Sequence, residues 1–204
     1  MVEEQLQARG IVDQRVLDAM ERVPRETFVD SDDRPRAYLD MPLSIGFGQT
    51  ISQPYMVALI CQEAAVSPGD DVLDIGTGSG YQAAVLAEMG ANVHTIERIP
   101  ELARKAGRNL AEAGYARVVV HVGDGSLGLP DEAPFAAIAV AAAAPELPMT
   151  LYEQLVRGGR LVAPVGAPEG QRLEVAVRTP EGPAVVHSVP CRFVPLLGAE
   201  GYES

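Results

Sequence analysis

Tryptophan is absent from this 204-residue chain, cysteine occurs twice and lysine once. Aromatic residues make up only 5%, too few for a platform on which single-stranded bases stack. Basic residues number 16 against 28 acidic ones, a formal charge of −12. Bulk attraction of a phosphate backbone is therefore excluded. Cys61 and Cys191 lie far apart and form no C-x-x-C pair, which excludes the disulfide framework of a small secreted domain. His94, His121 and His187 each follow a valine in a β-like segment, with no His-x-x-x-His or Cys–His spacing; no metal site is expected. No G-x-S-x-G elbow is present, which disfavours a hydrolase. The longest apolar run, Ala133 to Pro145, falls short of the ~20 residues that span a bilayer. The opening MVEEQLQARG is acidic and unlike a secretory leader. These shortages predict a soluble, cytoplasmic protein with neither membrane nor nucleic acid as partner.

What is there is ordinary globular material: 47% apolar and 22% charged residues. A chain of this size buries roughly 70% of its unfolded surface, enough for one self-sufficient core. Residues 2–22 have helical spacing, interrupted at Gly10 and resumed after a capping Asp13. Val23 to Pro42 reads as irregular, and PLSIGFGQTI, Pro42 to Ile51, as a short hairpin or a loop in close backbone contact. Pro54 then opens a helix over Tyr55 to Val66, with Ser52 or Gln53 near its cap. Strands are expected at 71–75, 92–97, 117–122, 135–140 and 160–165, and helices at 81–89, 101–113 and 147–155. This alternation predicts an α/β domain, a mostly parallel doubly wound sheet with helices on both faces. Segments 173–178 and 184–194 add a C-terminal antiparallel hairpin. The division expected is a helical N-terminal arm and substrate-side loop over 1–51, a cofactor-binding core over 52–170, and C-terminal strands over 171–204.

VLDIGTGSGYQAAVLA, Val72 to Ala87, carries the strongest local signal. A strand runs into Gly76, Thr77, Gly78 and Gly80, and a helix starts at once. Glycines allow the tight turn and let a ligand approach the backbone, and open α/β sheets bind ligands at this end of their strands. A dinucleotide fingerprint, G-x-G-x-x-G, would need its third glycine at position 81, where Tyr81 stands. Asp74, two residues before the first glycine, would repel a pyrophosphate but attract an ammonium or sulfonium. The pattern favours S-adenosylmethionine over NAD. Glu97 ends the second strand, seventeen residues after Gly80, where a carboxylate can accept both ribose hydroxyls. Asp124, between Gly123 and Gly125, ends the third and could accept from an adenine amino group. Each acid alone reads equally as a strand end or a turn; three in series beside the loop read better as ligand contacts.

The chain resembles the protein-L-isoaspartate (D-aspartate) O-methyltransferase family, of the Rossmann-like class I methyltransferases. The likeness runs through RGIVDQRVLDAMERVPRETFV (Arg9 to Val29), IGFGQTISQPYMVA (Ile45 to Ala58), DIGTGSGYQAAVLA (Asp74 to Ala87) and TIER (Thr95 to Arg98). It continues through GDG, AAAP (Ala142 to Pro145), QLVRGGRLVAPVG (Gln154 to Gly166) and RFVPLLGAEGY (Arg192 to Tyr202). Many methyltransferases share the glycine loop; GQTISQP is far narrower. The resemblance implies that Asp74, Gly76, Gly78 and Gly80 hold the methionine end of S-adenosyl-L-methionine, Glu97 the ribose and Asp124 the adenine, with Thr77 and Gly125 as further cofactor-binding residues. It assigns Ser52 to the active site and sets Ile51, Ala142 and Ala143 around the substrate carboxylate. From the residues alone Ser52 reads as a helix cap. The chain departs from the family at Ala136, where Asp is usual in strand four, at Ala141 for Thr, and at Ser44 for Pro. The first two are expected to flank the substrate side.

The implied reaction methylates the α-carboxylate of an isoaspartyl residue in a damaged protein or peptide, whose ester then closes to a succinimide. That carboxylate, with a pKa near ~3.5, is ionised at neutral pH and needs no general base. Ser52 is expected to orient it. The enzyme is expected to act as a monomer on isoaspartyl proteins. Two other readings stand beside this one: a carboxyl methyltransferase of the same fold acting on ordinary Asp of a dedicated peptide, and a cofactor-binding module without catalysis.

Overall fold

The computed structural model describes residues 1–203. Helix α1 (Gln14–Arg22) starts where Asp13 accepts the Arg15 amide, and it buries Val16, Leu17, Ala19 and Met20 on one side. Before it, residues 2–9 form two short turns that stop at Gly10, whose φ of +93° suits glycine. After it come 3₁₀ turns at Arg25–Phe28 and Ser31–Arg36. Strands β1 (Leu43–Gly46) and β2 (Gln49–Ile51) make the expected hairpin. Helix α2 (Pro54–Ala64) opens on proline, whose fixed φ and missing N–H suit a first turn.

Strand β3 (Asp71–Ile75), helix α3 (Tyr81–Glu88), β4 (Asn92–Glu97), α4 (Pro100–Glu112) and β5 (Val119–Val122) follow in βαβ order. The chain then returns through β6 (Phe135–Val140), α5 (Met149–Tyr152), β7 (Leu155–Val165), β8 (Arg172–Thr179) and β9 (Gly182–Pro190). The main sheet has seven strands in the order β5-β4-β3-β6-β7-β8-β9. It is parallel from β5 to β7 and antiparallel from β7 to β9. The predicted fold class, a Rossmann-like, mostly parallel sheet with a C-terminal antiparallel hairpin, is the one found.

Side chains alternate across each strand, so each face has its own core. Val72, Ala137, Ala139 and Val162 pack under α1 to α4, whereas Leu73, Ile75, Ile138, Val140 and Leu161 pack toward α5 and Leu196. The second face carries far less helix than expected. The segment 147–155 is helical only at Met149–Tyr152. Pro148 stands at its start, and Leu155 already pairs with Phe135 in the sheet. Among the described residues no helix is long and apolar enough to cross a membrane.

From β3 the chain steps outward to β4 and β5, then crosses back to β6 on the other side of β3. The loops leaving β3 and β6 therefore diverge, and a crevice opens between them at the carboxyl ends of the strands.

Candidate active site

The crevice is a cleft that holds about 870 Å³ of space when the open solvent at its mouth is counted. Its base is the loop after β3. Gly76, Gly78 and Gly80 have φ of +88°, +54° and +95°, a backbone that side chains with a Cβ rarely adopt. The amides of Gly76 and Thr77 donate to the Ile96 carbonyl at 3.0 and 3.2 Å. The Gly78 amide donates to Glu97 Oε2 at 2.9 Å. Glu97 Oε1 accepts the Ile99 amide at 3.0 Å. The loop is thus fastened to the end of β4, and the buried Glu97 carboxylate still forms part of the cleft wall.

Other predicted residues fall into place unevenly. Gly76, Thr77, Gly78, Glu97, Gly125, Ile51, Ser52 and Ala142 line the cleft. Gly80 does not: a Cβ there would sit 3.0 Å from Leu110 Cγ, so its glycine lets α3 and α4 approach. Ala143 does not either. Its amide donates to the Val194 carbonyl and its carbonyl accepts the Leu196 amide, both at 2.8 Å. Those bonds hold Val194 to Leu197 over the cleft as a roof.

Asp74 is fully buried behind the loop, not on the cleft wall. It accepts from Thr95 Oγ1 at 2.7 Å and from Gln82 Nε2 at 2.8 Å. Thr95 in turn shares a 2.7 Å hydroxyl contact with Thr77. Burial raises the Asp74 pKa to about 6, against the lowering effect of those two donors. Gln82 reaches the cleft, and its Oε1 is buried without a partner. Asp124 is likewise engaged. Its Oδ1 accepts from the Ser126 amide at 2.9 Å and hydroxyl at 2.7 Å, and its Oδ2 from the Ala199 amide at 2.7 Å. Burial works to raise its pKa, but the Ala199 and Ser126 donors outweigh it, and Asp124 titrates below the usual carboxylate value.

Ser52 follows β2 and faces the cleft. The helix-cap expectation fails for it. The residue at the N-cap of α2 is Gln53, and no side chain caps that helix. Gln53 Nε2 instead donates to Asp40 Oδ2 at 2.7 Å. Ser52 Oγ makes no hydrogen bond to the described residues, while its carbonyl accepts from Arg25 Nη2 at 2.7 Å. Of the family departures, Ala141 lines the cleft. Ala136, contrary to expectation, does not: it sits near the start of β6, five residues before Ala141, roughly 16 Å away along an extended strand. It therefore cannot flank the substrate side.

Sequence reasoning missed Gln82, Arg98 and the Val194–Leu197 roof, which all line the cleft. Gln82 had a local signal, being the second residue of the helix that follows the glycine loop. The roof had none, because it arrives from the far end of the chain. His94 and His121, read separately, meet across β4 and β5 at 3.1 Å, away from the cleft. No group of three or more metal-ligating side chains occurs among the described residues.

A family model described as protein-L-isoaspartate(D-aspartate) O-methyltransferase matches residues 1–201. A protein-L-isoaspartate O-methyltransferase of Anaeromyxobacter sp. (strain Fw109-5) is 55% identical over 198 residues, covering 96% of this chain and 81% of its own. One from Gloeobacter violaceus is 54% identical, covering 96% of both. A solved protein-L-isoaspartate O-methyltransferase superposes with a TM-score of 0.88 at 29% identity, over 98% of this chain and 67% of that one. A Plasmodium falciparum protein described as such an enzyme, in complex with S-adenosyl-L-homocysteine, gives 0.81 at 26% identity over 95% of each.

Proposed function

The chain belongs to the protein-L-isoaspartate(D-aspartate) O-methyltransferase family, and from that premise we propose how its cleft works. The enzyme methylates the α-carboxylate of isoaspartyl residues in damaged proteins and peptides, using S-adenosyl-L-methionine, and so starts their repair through a succinimide. The residues present fit that cofactor. The cleft offers a buried carboxylate for ribose hydroxyls in Glu97, glycine backbone that admits close approach at Gly76 and Gly78, and an orphaned acceptor in Gln82 Oε1. An ammonium group would satisfy that orphan, since the Gln82 amide already donates to Asp74. Asp74 serves the methionine end through Gln82 and Thr77. Asp124 ties Ser126, the neighbour of Gly125, to Ala199, two residues past the roof, at the adenine end.

When bound, the cofactor supplies an electrophilic methyl group on a sulfonium. The remaining work is positional. Ser52 Oγ, free of internal partners, donates one hydrogen bond to the substrate carboxylate and fixes its direction. Ile51 and Ala142 form apolar walls beside it. The roof residues from Val194 to Leu197 exclude water, which strengthens every electrostatic contact inside. No group need remove a proton, because the nucleophile ionises far below neutrality.

The observation that carries this reading is the unpartnered Ser52 hydroxyl in the cleft that Glu97 and the glycine loop also line. Residues 1–51 serve as arm and substrate-side loop, 52–170 as cofactor core and 171–204 as closing strands. The enzyme works as a cytoplasmic monomer without nucleic-acid partners, in keeping with its −12 charge and free cysteines. Transfer of labelled methyl groups to a synthetic isoaspartyl peptide, with the aspartyl peptide as control, tests it. Preference for the aspartyl peptide would favour the dedicated-peptide reading, in which Ala141 enlarges the substrate side. Cofactor binding with no transfer to either would leave a binding module.

A further inference from the structure

Arg25 is completely buried, and it is the largest side chain so placed. A buried guanidinium ordinarily has a carboxylate partner. In a chain with 28 acidic residues, no described one forms an ion pair with Arg25. Its Nε donates to the Ala37 carbonyl and its Nη2 to the Ser52 carbonyl, both at 2.7 Å. Its Nη1 is buried without any partner. The guanidinium carbon lies 4.7 Å from the centre of the Tyr81 ring. Asp40, whose charge reaches Arg25, is itself already engaged by Arg9 and Gln53.

These contacts share a geometry. Ala37 and Ser52 stand on either side of the β1–β2 hairpin in the chain, so Arg25 ties its two ends together. Tyr81 begins α3 and lines the cleft, so the same side chain joins the hairpin to the glycine loop. The Ser52 carbonyl is drawn inward, and its hydroxyl is left to the cleft. Beyond the pull of Asp40, the cation is held directly only by two carbonyl dipoles and a π face. In a low-dielectric interior such a charge projects into the adjacent space. The cleft of a protein with net charge −12 has to admit an anion, and among the described residues Arg98 is the only basic side chain on its wall.

We infer that Arg25 is the positioning residue for the methyl-accepting carboxylate: it sets the Ser52 peptide so that Oγ faces the cleft, and its charge, which no described carboxylate pairs, draws the anionic group there. The inference rests on the proposed role of Ser52. It also accounts for a buried, unpaired cation that stability alone would not favour.

The test uses the full chain with Arg25→Met and Arg25→Lys, each assayed for isoaspartyl-peptide KM and kcat and for S-adenosylhomocysteine affinity by calorimetry. Arg25→Met should raise the peptide KM about tenfold or more, while S-adenosylhomocysteine affinity changes less than about threefold. Arg25→Lys keeps the charge but cannot reach both carbonyls as a planar fork. It should recover most of the KM and leave kcat lowered. A folded Arg25→Met variant with wild-type KM would overturn the inference. Should that variant fail to fold, the cycle of Arg25→Lys with Ser52→Ala decides. Strongly non-additive losses are expected for a residue that acts through Ser52, and additive ones would overturn it. Wild-type protein that binds S-adenosylhomocysteine but methylates no isoaspartyl peptide would instead remove the functional reading beneath both residues.

Discussion

Glu97 Oε2 and the Gly78 amide meet at 2.9 Å, so the end of β4 and the loop after β3 are held as one unit. The contact is charge-assisted and therefore stronger than a neutral amide bond. It leaves lone pairs on both carboxylate oxygens. The acid that would receive the ribose thus also sets the height of the glycine loop.

From that double duty, Glu97→Ala should weaken binding of S-adenosylhomocysteine by about 1–3 kcal/mol, since buried hydroxyls lose an acceptor. Glu97→Gln should lose less than Ala while lacking the charge. Calorimetry on both variants checks the order. Unchanged affinity in the alanine variant would remove Glu97 from the site.

Two glycines of the loop should behave differently. Gly78 lines the cleft and has φ +54°, and a Cβ there would stand 3.3 Å from Ile45 Cδ1. Gly78→Val should cost stability by roughly 1–3 kcal/mol of backbone strain and lower cofactor affinity at least tenfold. Gly80 faces Leu110 instead. Gly80→Ala should cost a similar amount of stability, about 1–2 kcal/mol, with affinity close to wild type in the folded fraction. Urea midpoints paired with calorimetry separate the two, and a binding defect confined to Gly80→Ala would reverse the assignment.

Asp74 gives a pH signature. Its pKa, about 6 in the folded protein, lies above the ordinary 3.8 because burial penalises the charge. Between those values the native state binds more protons than the unfolded one. Stability from this group therefore falls as pH rises from about 4 to about 6, then levels. The loss is on the order of 3 kcal/mol. Asp74→Asn should flatten that slope. A cationic ligand near Gln82 would favour the ionised acid, so affinity should rise with pH through the same window. Denaturant midpoints at pH 4.5 and 7 for both proteins check it. An equal slope in the asparagine variant would refute the assignment.

The sheet was legible because short apolar runs at β3, β4 and β6 alternate with helical stretches, and the glycine loop because a strand-to-helix turn needs positive φ. The acid series was legible as position but not as contact. Periodicity places Asp74 at a strand end, yet its parity turns it under α3 toward Gln82. Asp124 was legible as a strand-end acid, but not as the anchor for Ala199, 75 residues away. The roof and Arg25 were out of reach for the same reason. Their partners come from distant segments, and a single sequence carries no record of that pairing.

The last expectation concerns Ser52, where two readings diverge. As a cap, Ser52→Ala would cost about 1 kcal/mol of stability and nothing in rate. The structure removes the ground for that forecast, because Gln53 is at the N-cap and Ser52 Oγ bonds no described residue. As the donor to a carboxylate already charged, the hydroxyl contributes one charge-assisted bond, roughly 1.5–3 kcal/mol. Ser52→Ala should thus slow methyl transfer about 10–150-fold. Stability should stay within about 0.5 kcal/mol of wild type, and S-adenosylhomocysteine affinity should be nearly intact. The chemical step should show no Ser52-dependent rise between about pH 6 and 8, since neither the serine nor the nucleophile titrates there. Ser52→Thr keeps the hydroxyl and should retain part of the rate. Single-turnover rates, denaturant midpoints and calorimetry on the same samples decide. A wild-type rate with a lowered midpoint would return Ser52 to a structural role and leave the substrate carboxylate to other donors in the cleft.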